Sequence, residues 1–585
     1  MEFMLIKVFS RSMEYTTTGC LGGNHERWIA LMRKKICSNS WYLRSRTLAC
    51  RIFKTAGLFF CVLSLCGCRE ENEKKTTTRC EPLHENESIC AGVEKQVLGS
   101  ETWYVDETGT TSCTSIVYVK QGAKGGNGSQ ESPFGDLPAA VTATAADSGA
   151  CIALAAGEYS PVQLPASVSL LGKGSAKSKV IANTSTAIGV NGGENALIRG
   201  VLLTGTAPGI VVENAENLRI ESTAVDNTLG LGIDIRNSVG IRIRQVQVTG
   251  VKPATDASGD VGVGIRQRGA GSVSVENSLV ENCMGSGLIS YEGDLSVSRS
   301  VFRSNDGYGI AAACSPDGCV PPRPSVTIEG SLVENHVGVG ILLWRVIASV
   351  LDNKVTDTNS LTESIHTISR SVEVVEVEDL QFIGNTLSGG ADMGLFLHAT
   401  SGVLSQNAVA MHGGRGIWMQ SFRPEVPDMV EIHDNHVSDN KQVGVGVLGN
   451  YDVRMNGGSV IGTVTDSVFT EGGTVVQGDA VQLLMGSVAV IESMTFQSNE
   501  RISILADAVE FLSVKNNEFI DEIETPIAVQ EVGVESISEA IDLGILETEG
   551  NVNALGIEVS PYLPNDPWNN DKREIAVSPA MVVPN

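Results

Sequence analysis

Large rings are scarce in this chain: aromatic residues make up 5% of 585, with only 6 Trp, against 63 Gly. That balance argues against a helical protein packed around aromatic side chains and for tight turns around aliphatic interiors. No apolar run beyond residue 67 is long enough to cross a bilayer as a helix, which excludes a spanning segment in the body. Basic residues are scarce too, 42 Lys and Arg against 68 Asp and Glu, for a net charge of −26. Ten of those 42, but only three of the 68, fall in the first 67 residues, leaving 32 against 65 and a net of −33 in the remainder. Such a body repels nucleic acid and polyanionic glycans unless divalent cations, calcium among them, or a local basic groove intervene. Its plainest consequence is solubility of an exported surface protein.

What is present is a repeat. A Gly followed by an aliphatic residue returns every two dozen residues or so: Gly209-Ile210, Gly232-Ile233, Gly264-Ile265, Gly287-Leu288, Gly309-Ile310, Gly340-Ile341, Gly394-Leu395, Gly416-Ile417 and Gly446-Val447. The interval is too long for a heptad and has the length of a solenoid coil. Alternating apolar residues follow most pairs, as in Gly340-Ile-Leu-Leu, so the unit is a short strand. A solenoid buries each coil against the next, so several hundred residues form one domain. Coils of about 23 residues between Val180 and Asn517 give roughly 15 coils. Asn recurs ahead of the Gly pairs at Asn282, Asn305, Asn335, Asn385 and Asn407. Asn tolerates a left-handed backbone, and its amide can bond the same amide one coil away, so these residues read as structural. The rhythm is interrupted at Val251 to Asp260, Cys314 to Pro324 and Thr356 to Glu378, and insertions of this kind shape one face of a solenoid.

The N-terminus reads as an address. Arg44, Arg46, Arg51 and Lys54 precede the apolar run Thr55 to Gly67, the charged-then-apolar order of a secretory signal. The run ends Leu65-Cys66-Gly67-Cys68, which resembles the bacterial lipobox, with Cys66 where that pattern usually has Ala or Ser. The resemblance implies lipidation at Cys68 and a lipid-anchored place in the cell envelope, at the outer membrane or cell surface. Residues 1–67 are then leader and signal peptide, 68–115 a polar tether, 116–520 the repeat body and 521–585 a C-terminal cap and tail. Export favours disulfides. Cys314-Ser-Pro-Asp-Gly-Cys319 is a turn closed by two Cys; the sequence leaves the other connectivity open, with Cys80 to Cys90 and Cys113 to Cys151 as one choice, and Cys283 reads as a small residue of the stack.

The body opens with Tyr118-Val-Lys, a Gly-rich loop, Pro133-Phe134, an Ala-rich segment from Leu137 to Ala146, and then Cys151-Ile-Ala-Leu and Leu171-Gly-Lys-Gly174. This series resembles the opening of right-handed parallel β-helix proteins of the pectin lyase-like superfamily. The resemblance implies an all-β fold, a right-handed parallel β-helix solenoid with a short N-terminal helix capping the strand edges of the first coil.

Strand parity assigns function. With each Gly as position zero, positions one and three face inward and two and four outward. Position four reads Arg236, Arg268, Tyr291, Ala313, Trp344, His398, Gln420 and Asn450, and position two includes Asp234, Arg266, Phe396 and Trp418. Tyr291, Trp344, Phe396, His398 and Trp418 then form a strip suited to sugar rings, which stack on aromatic faces while Arg and His bond their hydroxyls. For catalysis the candidates are His398, His412 and Arg415, which flank that strip. The residue patterns of related enzymes are incomplete here. Leu229-Gly-Leu231 supplies no acid before Gly232-Ile-Asp-Ile, Gly413-Gly-Arg415 stands where a polygalacturonase-type Gly-His-Gly is sought, and Arg423-Pro424 lacks a second Arg. The paired carboxylates of an inverting glycosidase are not evident, and His433-Asp-Asn-His436 alone is no metal site. The sequence thus favours a carbohydrate-binding surface lipoprotein, with a polysaccharide lyase or hydrolase using the same groove, or a structural or adhesive envelope protein, as alternatives.

Overall fold

The computed structural model describes residues 113–254, 262–314, 322–358, 369–423, 425–470, 473–521, 526–530 and 536–562. The leader, the tether with Cys68, Cys80 and Cys90, and Cys319 lie outside the described residues.

Alternation builds the coil. In one turn of chain, strands Leu231–Arg236, Ile241–Arg244 and Gln247–Thr249 bury Ile233, Ile235, Ile241, Ile243, Val246 and Val248 completely. Each such side chain contributes about 1.5–3 kcal/mol relative to exposure. The three strands pair in parallel with Val263–Arg268, Ser272–Glu276 and Leu279–Glu281 one coil on. Repetition gives a first face of 15 strands, while the second and third strands of every coil join into a sheet of 31. A hairpin, Asp466–Thr470 with Gly473–Gln477, pairs antiparallel outside this scheme.

The repeating Gly marks a close approach of backbone between coils. A Cβ at Gly232 would collide with the carbonyl oxygen of Gly264 one coil on and with Cγ1 of Val248 in the core. In other coils Ser371, Ala480, Ser503 and Pro526 hold the same rung. The stretch from Thr356 to Glu378, expected as an insertion, therefore contains a complete first-face strand, Arg370–Val375. Register also corrects one Gly pair. Gly444 is the corner residue of strand Val443–Gly449, so Gly446 stands opposite Trp418, and Leu448, not Asn450, opposite Gln420.

Asn serves two purposes. Asn282 and Asn335 adopt left-handed backbone (φ 55° and 56°) at turns. Asn353, Asn385, Asn407 and Asn435 are buried and bonded amide to amide, each Nδ2 donating to the next Oδ1 at 3.1, 3.1 and 2.8 Å. A second turn column runs through Cys283, Asn305, His336 and His412, each buried and each following a left-handed residue. Cys283 is a free, buried thiol, as a stack residue should be.

Both ends are closed by short helices. Helix α1 (Leu137–Thr144) starts on Asp136, whose carboxylate accepts the Ala139 N–H at 2.8 Å, and packs Leu137 and Ala140 onto the first coils. Beside it Cys113 is bonded to Cys151. Cys314 is also disulfide-bonded, its expected partner Cys319 lying outside the described residues. At the other end the coils run on past the boundary expected at 520. Strand Ile527–Gln530 extends the first face, and after helix α2 (Ile537–Asp542) strands Leu546–Glu549 and Val552–Asn553 extend the other two. Among the described residues no helix is long and apolar enough to cross a membrane.

Candidate functional site

Departures from the coil rhythm concentrate at the two corners that border the first face. Residues 251–262, 357–369 and 462–478 precede first-face strands, and residues 314–324, 422–427 and 531–545 follow them. The outward side of this face is therefore where chain-specific features gather.

Its N-terminal coils hold an ion network. Asp234 is fully buried between Arg266, which donates from Nε at 2.9 Å and Nη2 at 3.0 Å, and Arg236, which donates from Nε at 2.7 Å and also reaches Glu213 at 2.5 Å. Both oxygens of this carboxylate are engaged by the two guanidiniums, so it serves the structure of the face.

The position-four column follows. Register stacks Arg268, Tyr291, Ala313, Trp344, Val375, His398 and Gln420 on successive coils. Tyr291, Trp344 and His398 are partly buried. The Arg268 guanidinium lies 6.0 Å from the Tyr291 ring and that of Arg345 5.5 Å from Trp344. The indole Nε1 of Trp344 has no hydrogen-bond partner. Burial pulls the His398 imidazole below its ordinary pKa, and its Nδ1 lies 3.5 Å from Gln420 Nε2.

Phe396 and Trp418, expected in the same open strip, are instead buried, at 4% and 0% exposure. Trp418 lies against Gly446, where a Cβ would overlap the indole. Guanidiniums cover both rings: Arg370 sits 3.6 Å from the Phe396 centroid and Arg415 3.9 Å from that of Trp418. Arg370 also pairs with Glu373 at 2.6 Å, and Nε of both arginines lacks a partner. Burial lowers Arg415 to about 10. Asp392, in the field of both arginines, is raised by burial, and Tyr308, beside Glu373, is pushed up to about 12, burial again leading. The sequence reading missed Tyr308, Arg370, Glu373 and Asp392. Ser371 in place of Gly hid one coil. Tyr308, Arg370 and Arg415 each immediately precede a corner residue, the one signal that marks them.

Two further candidates fall away from the face. His412 is 1% exposed inside the turn column, with Nδ1 2.9 Å from Asn440 Oδ1 and Nε2 3.2 Å from Ser371 Oγ, and burial lowers it to about 4. It cannot reach a ligand on the first face. His433 and His436 have separate partners, Glu431 at 3.2 Å and Ser459 at 2.6 Å. Among the described residues no three His, Cys, Asp or Glu are grouped to hold a metal ion. Toward the C-terminal end, Asp479 is fully buried, 3.5 Å from Arg501, and pushed up to about 6 by burial.

The stacked parallel strands define a right-handed parallel β-helix. A family described as "Right handed beta helix region" matches residues 186–355. Among solved structures, the chain is similar to tailspike protein 3 of bacteriophage CBA120, at 14% identity over 72% of this chain, TM-score 0.39. That match spans 64% of the tailspike chain, less than two thirds of it. It is also similar to the periplasmic alginate epimerase AlgG (13%, 59% of this chain and 77% of that one, TM-score 0.34) and to the catalytic domain of a GH87 α-1,3-glucanase (10%, 77% and 70%, TM-score 0.32). No curated protein matches the chain.

Proposed function

We propose that the protein binds carbohydrate along the outward side of the first face, and that it is held at the bacterial cell envelope by a lipid on Cys68. The observation that carries the reading is the column of partly buried Tyr291, Trp344 and His398, two of its rings backed by guanidiniums, on a face whose corners carry the insertions. Rings of this kind stack on pyranose faces, and the adjoining N–H groups donate to hydroxyls. Titration of a panel of neutral and acidic polysaccharides into the Cys68→Ala protein, with and without calcium, tests it. Binding that Trp344→Ala weakens supports the reading, and no binding by any member ends it.

A catalytic reading is favoured by one cluster. Asp392, Arg370 and Arg415 gather a carboxyl raised by burial and two cations on the same face, the means to hold an acidic sugar and move a proton. Release of soluble sugar from the same panel, lost in Asp392→Asn, would establish a depolymerase; binding without release leaves a binding protein.

A further inference from the structure

The position-four column is not a continuous aromatic strip. It alternates: Tyr291, Ala313, Trp344, Val375 and His398 occupy five successive coils, each directly paired with the next. A ring-bearing side chain thus recurs at every second coil, and a small one lies between. Two strand separations amount to about 9.6 Å. In an extended chain of pyranoses joined through equatorial 1,4 bonds, each ring advances about one strand separation, roughly 5 Å. Such a chain is a flat twofold ribbon: neighbouring rings are turned over, and only every second ring presents the same face. The column has the same period. Every second rung carries a flat side chain, and the rungs between carry the smaller side chains of Ala313 and Val375.

We infer that this column reads a flat, equatorially 1,4-linked glycan laid along the solenoid axis, one disaccharide to every two coils. The inference rests on the carbohydrate-binding reading and deepens it. Tyr291 and Trp344 stack on rings of like orientation, and His398 lies beneath a third. Arg268 and Arg345 stand beside the two aromatic rungs. From Tyr291 to His398 the column spans five rungs, so a pentasaccharide fills it. Axial–equatorial glucans curl away from a straight row of this period, and diaxial galacturonans are buckled chains of shorter repeat, so either loses at least one of the three contacts.

Isothermal titration with two series of oligosaccharides tests the assignment, each from two to eight rings. One series is equatorial (cello-oligosaccharides and 1,4-linked oligomannuronates), the other axial (malto-oligosaccharides and oligogalacturonates). The equatorial series should bind with affinity rising to five rings and level beyond, and Trp344→Ala should weaken the pentasaccharide about tenfold. Ala313→Phe and Val375→Phe add aromatic surface but fill the gaps, and each should weaken the same ligand by a similar factor while the thermal unfolding midpoint stays unchanged. Equal binding of the axial series, or tighter binding after Ala313→Phe, overturns the period and leaves the carbohydrate reading standing. Polysaccharide binding with none by equatorial oligomers does the same. Absence of binding by every polysaccharide and oligosaccharide overturns both.

Discussion

One sheet face holds two regions built on the same rungs and used in opposite ways. From Arg236 to Trp344 the outward side chains are paired ions and partly buried rings, with a small apolar cluster of Leu231, Val263, Ile289 and Ala311 beside Tyr291. From Phe396 onward the outward positions other than His398 are largely closed: Phe396, Trp418, Leu448, Leu484 and Leu505 form an apolar cluster of their own, outside the main core, with Met393, Ile502 and Ala528. Identical strand parity therefore produces a partly open column over a small apolar cluster in one half and a larger second core in the other. Parity fixes direction, while exposure depends on what neighbouring coils lay across the rung. Gly446 makes the difference at one point, because its missing Cβ lets the Trp418 indole lie down along the face.

The sharpest way to break the comparison is to remove one ring from each region. Trp418→Ala empties a fully buried indole site and strands Arg415 above a cavity, and should cost about 3–5 kcal/mol. Urea unfolding would measure it. A loss below roughly 1 kcal/mol would show that the C-terminal half of the face is not a second core.

Acid separates the interior from the face. His336 and His412 are held near pKa 4 by burial, against about 6.5 unfolded, so the folded state resists protons that the unfolded chain accepts. Stability is full above pH 6.5 and is lost as pH falls toward 4, by about 3 kcal/mol per group at the end of the window. Asp479 works the other way. Its carboxyl, raised to about 6 by burial, is destabilising while ionised, and that penalty is relieved as pH falls from 6 toward 3.8. Unfolding midpoints between pH 7 and 4.5 should fall overall. His412→Asn, which continues the column with the residue type already present at Asn440, should flatten the fall, and Asp479→Asn should steepen it. The opposite pair of slopes would refute both burial assignments.

In the amide ladder, Asn385 donates to the Val350 carbonyl at 2.8 Å and to Asn407 at 3.1 Å, and accepts from Asn353 at 3.1 Å. Asn385→Ala leaves buried partners on both sides unmet and should cost on the order of 2 kcal/mol, read from the thermal midpoint. The same change at Asn282, which supplies a left-handed turn, acts through backbone strain alone and should cost less.

The fold was legible because its cause is local. A Gly at each corner followed by alternating aliphatics records backbone approach and strand parity together, and both survive in the sequence as spacing. The coils at Ser371, Ala480, Ser503 and Pro526 were hidden because steric tolerance at that rung replaces Gly without changing the coil. The site was legible only in direction. Parity placed Trp344, His398, Phe396 and Trp418 outward, and all four lie in the outward columns, yet two of them are buried by arginines that precede the corner residues. His412 was misplaced for a different reason: it follows a left-handed residue, Met411 (φ 58°), which turns its side chain into the stack.

The smallest expected change in stability carries the most about function. Trp344 is half-buried, its neighbours in the column are Ala313 and Val375, and its indole N–H bonds nothing. Truncation to Ala removes little packing and should shift unfolding by less than about 1 kcal/mol, far below the Trp418 value. A ring this large, left partly exposed, stands apart on a face that buries Phe396 and Trp418 so thoroughly. If Trp344→Ala and Trp418→Ala destabilise equally, Trp344 belongs to the packing and the open half of the face is only incompletely covered core. If stability is unmoved while affinity for polysaccharide falls, the two regions divide the labour: the closed half holds the coils together and the open half meets the ligand.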